Sequence, residues 1–70
     1  MGEPLQWKPN GHQTWRAITD HGNYAWWEFD DGSEYVVLPG DYAGRKVLDA
    51  KARAQADYDA RVKFAEEIGA

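Results

Sequence analysis

Three short runs of β-forming residues, two turn signals between them and one long alanine-rich stretch after them predict an α+β domain. The expected architecture is a three-stranded antiparallel β-meander packed against one long C-terminal α-helix (β-β-β-α). The runs are TWRAIT (14 to 19), YAWWEF (24 to 29) and EYVVL (34 to 38), each rich in the aromatic and β-branched residues that suit a pleated surface. Between them stand DHGN (20 to 23) and DDGS (30 to 33), where His21-Gly22 and Asp31-Gly32 fit two-residue hairpin loops. Two tight hairpins in succession make the three strands antiparallel neighbours.

Residues 1 to 13 hold both early prolines and two glycines without periodicity, so they form an arm with little regular structure, for which Trp7 is the candidate anchor. The single domain then runs from 14 to 70. Pro39-Gly40 ends the last strand, Asp41 is the expected helix N-cap, and helix is predicted from about Tyr42, with neither Pro nor Gly between Arg45 and Ile68. At 100° per residue, Ala43, Val47, Ala50, Ala54, Tyr58, Val62, Ala65 and Ile68 share one stripe, the side expected to meet the sheet. Asp49 with Arg53, Asp57 with Arg61 and Asp59 with Lys63 are acid-before-base pairs at i,i+4, each worth about 0.2 to 0.5 kcal/mol.

Two-residue loops would set Ala17 opposite Trp26 and Trp26 opposite Val37, which divides the strands into two faces. One carries Thr14, Arg16, Ile18, Ala25, Trp27, Phe29, Glu34, Val36 and Leu38; the other carries Trp15, Ala17, Thr19, Tyr24, Trp26, Glu28, Tyr35 and Val37. Both are apolar at the centre, and one helix covers only one of them. The first set has more aliphatic volume and is assigned to the helix. The second is assigned outward, because Trp and Tyr bury large areas at interfaces while keeping a polar tip. The competing arrangements fold Leu5 and Trp7 back over that second face or bury it between two copies.

Charge concentrates where the aromatics do. Residues 1 to 16 total +1, residues 17 to 44 total -6 with no Lys or Arg, and residues 45 to 70 total +1. A local acidic patch repels phosphate backbones and steers basic partners; the plainer account is that acidic turns keep a sheet soluble. The candidate partner-binding residues are therefore Trp15, Tyr24, Trp26 and Tyr35 as apolar anchors, with Glu28, Asp30, Asp31 and Glu34 pairing with Lys and Arg.

Catalytic inventory is thin. There is no Cys, and Ser33, Thr14 and Thr19 have no triad-like base, since the only histidines are His12 and His21. Two histidines do not make a three-ligand zinc site. The spacing of Glu28, Asp30, Asp31 and Glu34 is not that of an EF-hand, and Pro39 to Lys46 lacks P-loop spacing. No enzyme activity, cofactor or metal is expected. Met1 to Lys8 shows no secretory pattern, Gln6 does not suit myristoylation at Gly2, and no apolar run approaches the roughly 20 residues of a membrane span.

The β-β-β-α order resembles the AP2-type DNA-binding domain and the arm-binding domain of some phage integrases, which lay a sheet into the major groove. Those domains need basic and polar side chains on the sheet, whereas this segment offers Arg16 beside six acids, which makes nucleic acid an unfavoured partner. Tyr24-Ala25-Trp26-Trp27 resembles a shortened form of the aromatic run of small chitin-binding modules, which would imply sugar binding. The expected function is a noncatalytic, cytoplasmic protein-binding module, monomeric or homodimeric. In type it is a small phage or mobile-element inhibitor setting an acidic aromatic sheet face against a basic, nucleic-acid-binding protein. A DNA-binding domain, a carbohydrate-binding module and a structural homo-oligomer are the alternatives.

Overall fold

The computed structural model describes residues 3–69, so the first two residues of the arm and the Gly2 reading lie outside them. The α+β class stands, but the sheet has five strands: β1 (Lys8–Pro9), β2 (Thr14–Thr19), β3 (Gly22–Glu28), β4 (Glu34–Val37) and β5 (Arg45–Val47). They are antiparallel in the order β1-β2-β3-β4-β5 and are followed by α1 (Ala50–Glu67). The two added strands lie at the edges. β1 is two residues long and carries a proline, and β5 is three residues with two cations, both features that discourage pairing with another chain.

β5 occupies the place where the first helical turns were expected. Asp41 is not a helix cap: its Oδ2 accepts from the Leu38 amide at 3.1 Å and its Oδ1 pairs with Arg45 at 3.1 Å, which fastens the turn that brings β5 back beside β4. The helix begins eight residues later, with Asp49 as N-cap accepting from the Ala52 amide at 3.1 Å. Of the three expected ion pairs, Asp57 with Arg61 forms at 2.6 Å; Asp49 serves as the cap, and Asp59 accepts from Gln55 instead.

The first loop keeps two residues but sits one position earlier than expected, and the second is one residue longer, with different consequences. In the first, Thr19 pairs with Gly22, so the loop is Asp20-His21 and the register moves by two residues, which leaves the faces as they were. Gly22 is needed there twice over: its φ is +125°, and a Cβ would run into the Pro39 ring. In the second, the Phe29 amide donates to Ser33 O at 2.9 Å and Gly32 (φ +88°) completes a three-residue loop, Asp30-Asp31-Gly32. Trp26 thereby pairs with Val36 and Trp27 with Tyr35, a slip of one residue that turns β4 over.

The helix consequently covers the face that was expected to be open. Ala17, Tyr24, Trp26, Val36 and Leu38 are buried against Ala50 and Ala54, whose small side chains allow close approach. Leu5 joins this core and Trp7 packs on it, so the arm folds back on the helix side, with Gln55 accepting from the Leu5 amide (2.8 Å) and donating to Glu3 O (3.0 Å). Toward its C-terminus the helix loses its support: Phe64 and Ile68 are 62% and 65% exposed.

The face assignment makes a direct prediction. Trp26→Ala removes a core ring and should cost about 3 to 5 kcal/mol, whereas Trp27→Ala, on the opposite face, should cost about 1 kcal/mol. Urea midpoints of the two variants at matched slope check this; equal losses would contradict the assignment.

Candidate functional site

Of the eight residues expected to bind a partner, Trp15, Tyr24, Trp26, Glu28 and Glu34 lie on the helix side of the sheet. Trp15 and Trp26 stack on each other, with centroids 4.3 Å apart and planes 15° from parallel, under the helix-borne Lys51 ammonium at 5.6 Å from the Trp26 ring. Tyr24 is fully buried, and its hydroxyl donates to Asp57 Oδ2 at 2.7 Å. Glu28 and Glu34 face each other across β3 and β4 on the helix side, a like-charge pairing that would ordinarily cost stability. Glu34 relieves it by accepting from the Ala50 amide at 2.8 Å, where the partial positive charge of the helix N-terminus favours a carboxylate. Only Tyr35, Asp30 and Asp31 among the expected residues stand away from the helix side. Asp30 and Asp31 are exposed on their loop, where hydrogen bonds from the Ser33 hydroxyl (2.6 Å) and amide (2.9 Å) hold the Asp31 carboxyl below its ordinary range.

Tyr35 belongs to the sheet face left open. Trp27 and Tyr35 oppose each other across β3 and β4, their rings within 5° of parallel and 5.8 Å apart, and Phe29 meets Tyr35 edge-on at 5.2 Å. The Trp27 indole extends over β4 as far as Gly44, where a Cβ would collide with its outer edge; that glycine is required for space. Phe29 and Ile18 are 50% and 69% exposed.

Register also sorts the charges. Lys8 opposes Arg16, and Lys46 opposes Tyr35, so three cations lie on the open face with the aromatics. Among the described residues no carboxylate holds a strand position on that face, since both strand-borne acids, Glu28 and Glu34, point to the helix. Lys8, Arg16, Gln6 and Ile18 also line a recess of about 270 Å³ beside β1. Of these residues, only Arg16 is marked by sequence reasoning as a sheet cation. Lys8 and Lys46 escape it because they sit on edge strands too short to show a period.

The strongest polar cluster lies on the other side. Asp57 Oδ2 also accepts from Arg61 Nε at 2.6 Å, and Arg61 donates to Pro39 O at 3.3 Å. Burial pushes the Asp57 carboxyl up, but the hydrogen bonds from Tyr24 and Arg61 and the nearby Arg61 and Arg53 charges outweigh it and hold the group below its ordinary value. Burial, then the Asp57 contact, raises Tyr24 well above its ordinary 10.0. Each member is bonded within the cluster, which ties the helix to β3 and to the Pro39 turn. Among the described residues no group of three or more His, Asp or Glu gathers where it could hold a metal ion. None of the helices described is long and apolar enough to cross a membrane.

Comparison with known protein families, with curated proteins and with solved structures found no match for this chain.

The clamp predicts a two-sided pH response. The depressed Asp57 contributes stability that is complete above its unfolded value near 3.9 and is lost as pH falls through the lower folded value. The raised Tyr24 contributes stability that is complete below about 10 and is lost as pH rises through its folded value. Tyr24→Phe should cost about 1.5 to 3 kcal/mol at neutral pH, as expected for a hydrogen bond to a charged group, and should flatten both limbs of the stability profile. Chemical denaturation from pH 2 to 11 checks it; unaltered limbs in the variant would refute the clamp.

Proposed function

We propose that this chain is a noncatalytic binding module whose working surface is the open face of its sheet. The observation that carries the reading is the uncovered aromatic group of Trp27, Tyr35 and Phe29, set among Lys8, Arg16 and Lys46, on the side of the sheet opposite α1. Large flat side chains on rigid strands make efficient contact surface at low entropic cost. Support for the noncatalytic part comes from the Tyr24–Asp57–Arg61 cluster, whose side chains are hydrogen-bonded to one another and tie the helix to β3. A cytoplasmic setting belongs to the proposal and is supported by the cysteine-free composition.

A second reading keeps a basic protein as partner, in the manner of a small inhibitor. The observation in its favour is the exposed Asp30-Asp31 loop next to the half-exposed Phe29. It requires contact through one end of the sheet and not through its centre.

A photo-crosslinker carried at position 18 (open face) or 53 (outer side of the helix) tests the main reading in extracts of the native host. Adducts are expected from position 18 and not from position 53. Adducts from position 53 alone would reject the open face. Loss of the position-18 adduct on neutralising Asp30 and Asp31, with Trp27→Ala having no effect, would favour the second reading.

A further inference from the structure

We infer that the open face takes single-stranded nucleic acid, the bases stacking on Trp27 and Tyr35 and the phosphates meeting Lys8, Arg16 and Lys46; this rests on the reading of that face as the working surface. The shape of the platform comes first. Trp27 spreads across β4 to Gly44, and the Tyr35 ring is stacked within 5° of parallel to it, so the pair offers aromatic planes of one orientation. Such planes accept any base by its π-face, and each base stacked contributes enough that removing the ring costs about 5- to 100-fold in affinity.

Charge placement supplies the second argument. Lys8 and Arg16 stand on one side of the platform, on β1 and β2, and Lys46 stands on the other, on β5. Four strand spacings of about 4.8 Å separate the outermost cations by about 19 Å, so a strand crossing the sheet would meet cation, aromatic pair and cation in turn. The recess of about 270 Å³ beside β1, lined by Lys8, Arg16 and Ile18, leaves space for a base at that end. The net charge of -4 does not set the field over the whole platform, because screening limits it to about 8 Å at physiological salt and among the described residues no strand-borne carboxylate shares this face, although Asp31 on its loop is close enough to act on Lys46. Asp30 and Asp31 border the platform at one end and disfavour a path in that direction. The same three like charges oppose face-to-face pairing of two copies, and a duplex would hide its base faces from the rings.

The test measures binding of the full chain to a labelled oligothymidylate of about 15 nucleotides, with a duplex and polyglutamate as competitors. Quenching of tryptophan fluorescence is expected, together with a salt slope near -2, from about -0.7 for each of three phosphate contacts. Trp27→Ala should weaken binding about 5- to 100-fold. Arg16→Ala or Lys46→Ala should flatten the slope by about 0.7 each, and the paired change Asp30→Asn with Asp31→Asn should tighten binding. The inference is overturned by no binding at low salt, by binding indifferent to Trp27→Ala, by equal competition from polyglutamate, which would mark an acidic protein partner, or by preference for the duplex. Failure here is separable from failure of the open face itself, because the crosslinks from positions 18 and 53 do not depend on the chemistry of the partner.

Discussion

The three-residue loop Asp30-Asp31-Gly32 is the constraint on which the arrangement depends. Strand β4 reads Glu34-Tyr35-Val36-Val37, apolar on either alternation, so its side chains alone do not choose a face. The loop chooses for it. With Phe29 closed on Ser33, Val36 goes under the helix beside Trp26, Tyr35 comes out beside Trp27, and Glu34 arrives where the helix begins. One residue fewer would send Tyr35 inward and Val36 outward, and would take Glu34 away from the Ala50 amide. A turn held by a glycine in the left-handed region and an aspartate bonded to Ser33 thus decides the composition of core and surface together.

The helix side shows how a small domain compensates for a limited core. A chain of this length buries only about 60% of the surface it exposes when unfolded. Here the deficit is met by large rings and charged hydrogen bonds: the Trp15–Trp26 stack, the buried Tyr24, and the Asp57 carboxylate shared by Tyr24 and Arg61. The arm belongs to the same layer, since Leu5 and Trp7 close the core at one end and Gln55 bonds to the arm backbone twice. Excluding it from the domain, as its proline and glycine content suggests, misses a part of the core.

How much of this was legible in the sequence depends on the physics of each element. The central strands and the body of the helix carry strong signals: β-branched and aromatic runs in Thr14 to Thr19 and Glu34 to Val37, and an alanine stripe from Ala50 onward. The edge strands do not, since two or three residues cannot display a period of two, and Arg45-Lys46-Val47 also fits a helical stripe. The faces differ from the expected assignment because β2 and β3 place aromatics on both sides, so that the choice passes to aliphatic volume, whereas the structure buries Tyr24 through a hydrogen bond to Asp57 and Trp26 through stacking on Trp15. The run of carboxylates from Asp20 to Asp41 was conspicuous as composition, yet in three dimensions it disperses into turns, a helix contact and the Asp41 clasp. Three cations scattered in sequence, Lys8, Arg16 and Lys46, come instead to one face of the sheet.

Gly44 carries a consequence beyond room for a ring. The Trp27 indole crosses β4 to lie over the bare backbone of Gly44, just before β5, with Tyr35 stacked beside it, and these contacts restrict its rotation. A partner of the proposed binding face would therefore meet a preorganised surface and immobilise little of it on contact, which raises the affinity obtainable from a small area. The missing side chain beside β5 is in this sense part of the proposed recognition element on β3.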